Sequence, residues 1–247
     1  MDTRIAVAGG TGLVGTLVVE EVRRAGATPV VVARSRGTDL TTGSGLAEAL
    51  DGVDAVVDAS NVDTLGAKRS IAFFEAATGH LLAAGAAAGV RHHVALSIVG
   101  CDRVDLPYYL GKRRQEELVA AGPVPWSVLR ATQFHEFAGQ LVERSPRPFA
   151  LAPRMRTQPV AAREVATALV AAALGEPAGQ LPDLGGPRVE DMGRMVRDVV
   201  RARGTRRLVV PVPMVGRAGR QVGEGGLLPG PGATLGSMTF ADWLERV

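Results

Sequence analysis

"AVAGGTGLVG", residues 6–15, decides the reading of this chain. Gly9, Gly12 and Gly15 recur at every third position, after an apolar run at 3–9 and before a helix-periodic apolar stretch at 13–26. Strand, glycine turn and helix in that order form the context in which such an array is informative. Glycines permit a tight turn and let the backbone approach a pyrophosphate, and the helix start aims N–H groups at phosphate charge. Gly9, Thr11, Gly12, Leu13, Val14 and Gly15 are therefore the expected phosphate-binding turn. The alternative is a glycine turn inside an α/β protein that binds nothing.

Outward from that turn the pattern continues. Strands are predicted at 28–34, 54–60, 91–100 and 126–132, and helices at 45–52, 68–90 and 108–122, the long one interrupted near Gly79. Alternating strands and helices, with strands that are apolar throughout, predict a Rossmann-type, doubly wound parallel sheet. The stretch from Arg34 to Gly45 is too short for a full strand–helix–strand passage, so a strand stub is expected around Thr38–Leu40. After residue 145 the pattern loosens. Helices are expected at 160–174, 189–204 and 239–247, the last with Trp243 packed inward, and an extended segment at 206–213. The chain is taken as one NAD(P)-binding domain over 1–247, with its core at 1–145 and a small substrate region at 146–247.

The 247 residues are 46% hydrophobic and 21% charged, ordinary for a soluble globular protein. A net charge of +3 is too slight to point to nucleic acid. The single cysteine, Cys101, excludes an internal disulfide and a cysteine-rich metal site. No apolar run approaches the roughly 18 residues of a membrane span. A cytoplasmic monomer or homodimer that binds a small molecule, with no nucleic-acid or membrane partner and no metal, is the expectation.

The end of the second predicted strand selects the cofactor. A carboxylate there accepts hydrogen bonds from the ribose 2′-hydroxyl, whereas arginine accommodates a 2′-phosphate. Here the strand ends in Arg34, Ser35 and Arg36, which favours NADP(H). Ser60 and Asn61 follow the strand "DAVVDAS", over the expected cofactor crevice, where they are placed to touch ribose or substrate.

"GGTGLVG", the strand-end Arg34, "VRHHVALSIVG", "YYLGK" with the following "QEE", and "LRATQFHEF" together resemble an atypical short-chain dehydrogenase/reductase of the NmrA-like group. The resemblance spans residues 3–187, and "TFADWL" near the C-terminus also fits. It implies a Rossmann fold and NAD(P)H binding but no single activity, because the group holds both reductases and redox sensors. It also implies a catalytic trio: Tyr108 as proton donor, Lys112 as its tuner and ribose ligand, and Ser97 hydrogen-bonded to a substrate carbonyl. Tyr108 and Lys112 stand four apart, on one face of a helix. A nearby ammonium is expected to lower the phenol pKa. The competing reading leaves Tyr108 to packing and Lys112 to cofactor binding alone.

"ATQFHEF" at 131–137 is expected to line the nicotinamide end, with His135 as a weaker substrate-facing candidate. His92 and His93, adjacent on a strand, point to opposite faces and make a poor metal pair. Cys101 has no evident activating base. Two readings result: an NADPH-dependent reductase of a small carbonyl or quinone-like substrate, and a cofactor-binding sensor without turnover.

Overall fold

The computed structural model describes residues 3–246. In chain order the elements are β1 (Arg4–Ala8), α1 (Leu13–Arg24), β2 (Thr28–Val32), α2 (Leu46–Ala49), β3 (Ala55–Asp58), α3 (Ala67–Ala87), β4 (His92–Ile98), α4 (Pro107–Ala121) and β5 (Trp126–Ala131). There follow α5 (Glu136–Arg144), β6 (Phe149–Pro153), β7 (Arg156–Thr157), α6 (Ala162–Leu174), β8 (Gly179–Gln180), β9 (Leu184–Gly185), β10 (Glu190–Asp191), α7 (Met192–Ala202), β11 (Leu208–Val212), α8 (Gly216–Gly223), β12 (Thr234–Leu235) and α9 (Phe240–Leu244). Two compact units interleave along the chain. The first holds residues up to Ser97, Leu106–Arg130 and Arg163–Leu181; the second holds Ile98–Asp105, Ala131–Ala162 and the chain from Pro182 onward.

In the first unit the strands lie in the order β5-β4-β3-β1-β2, with β8 beside β5. β1 pairs in parallel with β2 and β3, and β3 with β4. Ile5–Ala8 and Ala55–Asp58 are wholly buried, which is why these strands read as unbroken apolar runs. Helix α1 buries Val14, Val18 and Val22 on one stripe and ends on Arg23 and Arg24, whose charges suit the helix C-terminus. The core joins Ala6, Ala8, Val32, Val56, Leu46, Leu50, Leu81 and Leu82. The chain leaves β1 toward β2 and leaves β3 toward β4, so the strand order reverses between β1 and β3. In open α/β sheets ligands bind at such a switch point, outside the strand carboxyl ends.

Two sequence expectations need correction. No sheet strand forms around Thr38–Leu40: Asp39 makes only an isolated antiparallel bridge with Ser44, and β2 is left as the sheet edge. The segment is folded by turns instead. Asp39 Oδ1 accepts from the Thr41 N–H and hydroxyl, and Gly45, at φ 74°, packs so closely on Gly37 that a Cβ would lie 2.6 Å from its carbonyl oxygen. Nor is α3 interrupted at Gly79, which is simply an exposed position within 21 continuous helical residues.

The second unit packs Ala138, Val142, Ala150, Ala152, Met192, Met195, Val196 and Val199 around Phe240. Helix α7 supplies much of this through apolar residues at three- and four-residue spacing, and Asp191 caps its start by accepting from Arg194 N at 2.9 Å. The expected extended segment at 206–213 is β11, parallel to β6, and α9 opens with a capping box between Thr239 and Asp242. Trp243 stacks on Phe240 at 5.6 Å between ring centroids, in keeping with its expected inward packing. Among the described residues no helix is long and apolar enough to cross a membrane.

Candidate active site

The glycine turn sits at the switch point. Gly9, at φ 72°, lies so close to the end of β3 that a Cβ would meet Ala59 O at 2.8 Å and Ser60 Cα at 2.9 Å. A Cβ on Gly15 would lie 2.1 Å from Gly9 O, so this glycine lets α1 pack against the turn. Gly12 differs: a Cβ there would meet only Gly9 O, at 3.3 Å, and the residue is exposed with Thr11 and Leu13. It is the N-cap of α1 and contributes no side-chain cap. An exposed, uncapped helix start behind a glycine turn fits a pyrophosphate, because its N–H groups and dipole favour an anion.

Arg34, Ser35 and Arg36 form one exposed 3₁₀ turn directly after β2. The turn is where a 2′-phosphate reader belongs. Its environment contains an acid that the strand end alone does not disclose. Asp39 has its pKa lowered by the Thr41 hydrogen bonds and, more weakly, by Arg34. Arg34 therefore already feels one carboxylate.

Tyr108 stands in the first turn of α4, and its hydroxyl donates to Asn61 Oδ1 at 2.6 Å. Two residues expected at one site thus meet. Burial, with smaller contributions from Tyr109 and Asp58, raises the phenol pKa above its ordinary value. This corrects the expectation that Lys112 lowers it.

Lys112 is 3% exposed. Its Nζ donates to Leu96 O at 2.8 Å and to Gln115 Oε1 at 2.9 Å, and it lies 4.4 Å from the Phe74 ring centroid. Gln115 Nε2 in turn donates to Asp58 Oδ2 at 2.8 Å, while Asp58 Oδ1 accepts from Ser60 N at 2.9 Å. Asp58 and Gln115 are both 0% exposed, and neither was expected as a site residue, although they lie in the quoted stretches "DAVVDAS" and "QEE". Helix α4 is held by close packing: a Cβ on Gly111 would strike Ser70 Oγ at 2.1 Å, and Ser70 Oγ donates to Tyr108 O at 3.0 Å. On its other side Arg130 grips Glu116 with two bonds, of 2.9 and 2.6 Å. That pair joins "QEE" to "LRAT", two of the segments that carry the family resemblance. Ser97, next to the Leu96 carbonyl on β4, is 1% exposed.

His135 is 0% exposed, with Nε2 bonded to Met238 O at 3.1 Å and its ring centroid 5.7 and 5.8 Å from those of Phe240 and Trp243. It packs the second unit and faces no open space. In the same segment Thr132 donates to Gln158 O at 2.6 Å and Gln133 accepts from Thr157. His92 is bonded to Gly175 O and Ser127 Oγ, at 3.2 and 2.9 Å. His93 and Cys101 are buried. Among the described residues no group of three or more His, Cys, Asp or Glu could hold a metal ion.

The chain shares its fold with solved structures of nicotinamide-nucleotide-binding proteins. It superposes with a TM-score of 0.72 on an NADPH-dependent quinone oxidoreductase from Escherichia coli complexed with NADPH, at 16% identity, covering 98% of this chain and 99% of that one. A short-chain dehydrogenase/reductase superfamily protein from Agrobacterium tumefaciens with bound NAD gives 0.68 at 20% identity, covering 98% and 95%. Among curated proteins, the (4-alkanoyl-5-oxo-2,5-dihydrofuran-3-yl)methyl phosphate reductase of Streptomyces griseus is 33% identical over 144 residues, 53% of this chain and 48% of the relative. The chain therefore spans about half the length of the curated relative that it matches. No protein-family model matches the chain.

Proposed function

We propose that this protein is an NADPH-dependent reductase of a small carbonyl or quinone-like compound, of the atypical, NmrA-like short-chain type. The observation that carries the reading is the Tyr108–Lys112 pair on α4, bound through Asn61, Asp58 and Ser60 to the end of β3, against which the Gly9 turn lies. The similar structures hold NAD or NADPH, and the Streptomyces relative reduces an oxo-dihydrofuran methyl phosphate. These support a nicotinamide cofactor and a small oxygenated substrate.

In this reading the Gly9–Gly15 turn and the start of α1 hold the pyrophosphate. Arg34, with Ser35 and Arg36, holds the 2′-phosphate, and Lys112 reaches the ribose. A bound nicotinamide supplies hydride. Tyr108 gives its hydroxyl proton to the substrate oxygen as charge develops there, and Ser97 orients that oxygen. The raised phenol pKa keeps Tyr108 protonated across the neutral range, as a proton donor must be. The test is to follow NADPH absorbance against a panel of aldehydes, ketones and quinones. Consumption that depends on both substrate and Tyr108 supports the reading.

One observation favours a second reading. The phenol proton is already donated to Asn61, so Tyr108 also serves as a structural latch in a cofactor-binding sensor. Tight NADPH binding with no turnover across the panel would select the sensor.

A further inference from the structure

We propose that Gln115 is a positioning residue for Lys112, its amide polarity set by the buried carboxylate of Asp58. The inference rests on the reading of Lys112 as a cofactor-binding lysine. Lysine can only donate hydrogen bonds and a carboxylate can only accept them. A group between them must therefore present an acceptor to one and a donor to the other. Gln115 does so, with Oε1 on Lys112 Nζ at 2.9 Å and Nε2 on Asp58 Oδ2 at 2.8 Å. Because Asp58 accepts, the Gln115 amide cannot flip without placing N–H groups against the ammonium. Direct contact of carboxylate and ammonium would commit the lysine to a salt bridge. The interposed amide balances its charge at a distance and fixes the direction in which Nζ points.

The same carboxylate reaches the glycine turn. Asp58 Oδ1 accepts from Ser60 N at 2.9 Å, and Ser60 Cα is among the atoms against which Gly9 packs. One buried acid thus sets the strand end under the pyrophosphate turn and, through Gln115, the lysine of α4. His93 on β4 and Tyr108 on α4 both feel the Asp58 charge, while α3 presents the Phe74 ring to Lys112.

The test uses the full chain with Gln115→Met, Gln115→Glu and Lys112→Met. NADPH affinity is measured by calorimetry, and the thermal midpoint without NADPH is followed from about pH 7 to about pH 10, toward the ordinary lysine pKa. Gln115→Met should weaken NADPH by roughly tenfold, the effect of losing one hydrogen bond to a charged group. Its thermal deficit should shrink as pH rises, because a buried ammonium short of an acceptor is relieved by losing its proton. A purely packing role would leave a deficit independent of pH. Gln115→Glu keeps an acceptor beside Nζ but faces Asp58 Oδ2 with a second carboxylate and commits the lysine to a salt bridge, so NADPH affinity should again fall by roughly tenfold; affinity within about twofold of the parent would overturn the role of the amide's polarity. Wild-type affinity and a pH-independent deficit in Gln115→Met, with NADPH lost in Lys112→Met, would overturn the positioning role and leave the reading of Lys112 intact. Unchanged affinity in Lys112→Met would overturn both.

Discussion

The Tyr108 hydroxyl donates to Asn61 Oδ1 at 2.6 Å, and the same oxygen accepts the Val62 N–H at 2.8 Å. A phenol has one proton to give. Any substrate oxygen that receives it must take the place of Asn61. Burial raises the phenol pKa, so the proton is retained until such an acceptor arrives. This arrangement suits reduction, which needs a proton donor, better than the reverse reaction, which needs the phenolate.

Tyr108→Phe removes only the hydroxyl, and NADPH affinity should stay close to that of the parent. Turnover should fall by roughly 10²–10⁴-fold, the usual contribution of a general acid. In the parent, reduction should show no alkaline decline from Tyr108 up to about pH 9, since loss of the donor begins only as pH approaches a raised pKa. Steady-state kinetics with a verified substrate would check both points. Full turnover in the variant would move the proton to another group or to water.

The glycines of the turn should separate fold from binding. The Cβ of Gly12→Val meets only Gly9 O, and the position is exposed, so circular dichroism should remain that of the parent while fluorescence titration shows NADPH affinity lost. Gly15→Ala places a Cβ 2.1 Å from Gly9 O and should destabilise the protein by about 1–3 kcal/mol in urea unfolding, the typical effect of overpacking. Retained NADPH affinity in folded Gly12→Val would place the phosphates elsewhere.

Cofactor choice should follow Arg34. A charge-assisted bond to the 2′-phosphate implies a loss of roughly 10–100-fold in NADPH affinity for Arg34→Ala, with NADH nearly unaffected. Asp39→Asn should tighten NADPH modestly, because it removes the carboxylate that Arg34 already feels. Calorimetry with both cofactors decides; equal losses in Arg34→Ala would remove the 2′-phosphate role.

Much of this was legible in the sequence because it depends on local pattern. The glycine turn, the strand after it and the helix carrying Tyr108 and Lys112 follow from spacing and apolar runs. Composition held a further signal. The chain has two lysines against 26 arginines, and only two tyrosines, yet Tyr108, Tyr109 and Lys112 fall within five residues. Where lysine is so rarely used, a buried one has been placed for what arginine cannot do, offering a compact charge that fits within the core. Asp58 was visible as the one charged residue in "AVVD" and Gln115 as the residue three beyond Lys112, but their meeting spans 57 positions and is set by how α4 lies on β3. His135 misled because a strand end looks accessible in sequence, whereas Phe240 and Trp243 from the far end of the chain enclose it.

The last expectation concerns acid. His93 is fully buried, and burial lowers its pKa below the ordinary value, with Asp58 partly opposing the shift. Its Nε2 has no hydrogen-bond partner among the described residues. A depressed folded pKa means that above about pH 6.5 the histidine is neutral whether the chain is folded or not, and the group costs nothing. Below that value the unfolded chain binds a proton that the folded chain refuses. Stability should then fall by up to about 1.4 kcal/mol per pH unit from this group until the folded pKa is reached. His92, lowered by burial as well, adds in the same direction. Urea unfolding at about pH 7.5 and about pH 5 should therefore show a smaller acid loss in His93→Leu than in the parent, with carboxylate effects common to both. An identical loss in the two proteins would mean that folded His93 takes up its proton at the ordinary pH, with Asp58 as its counter-charge.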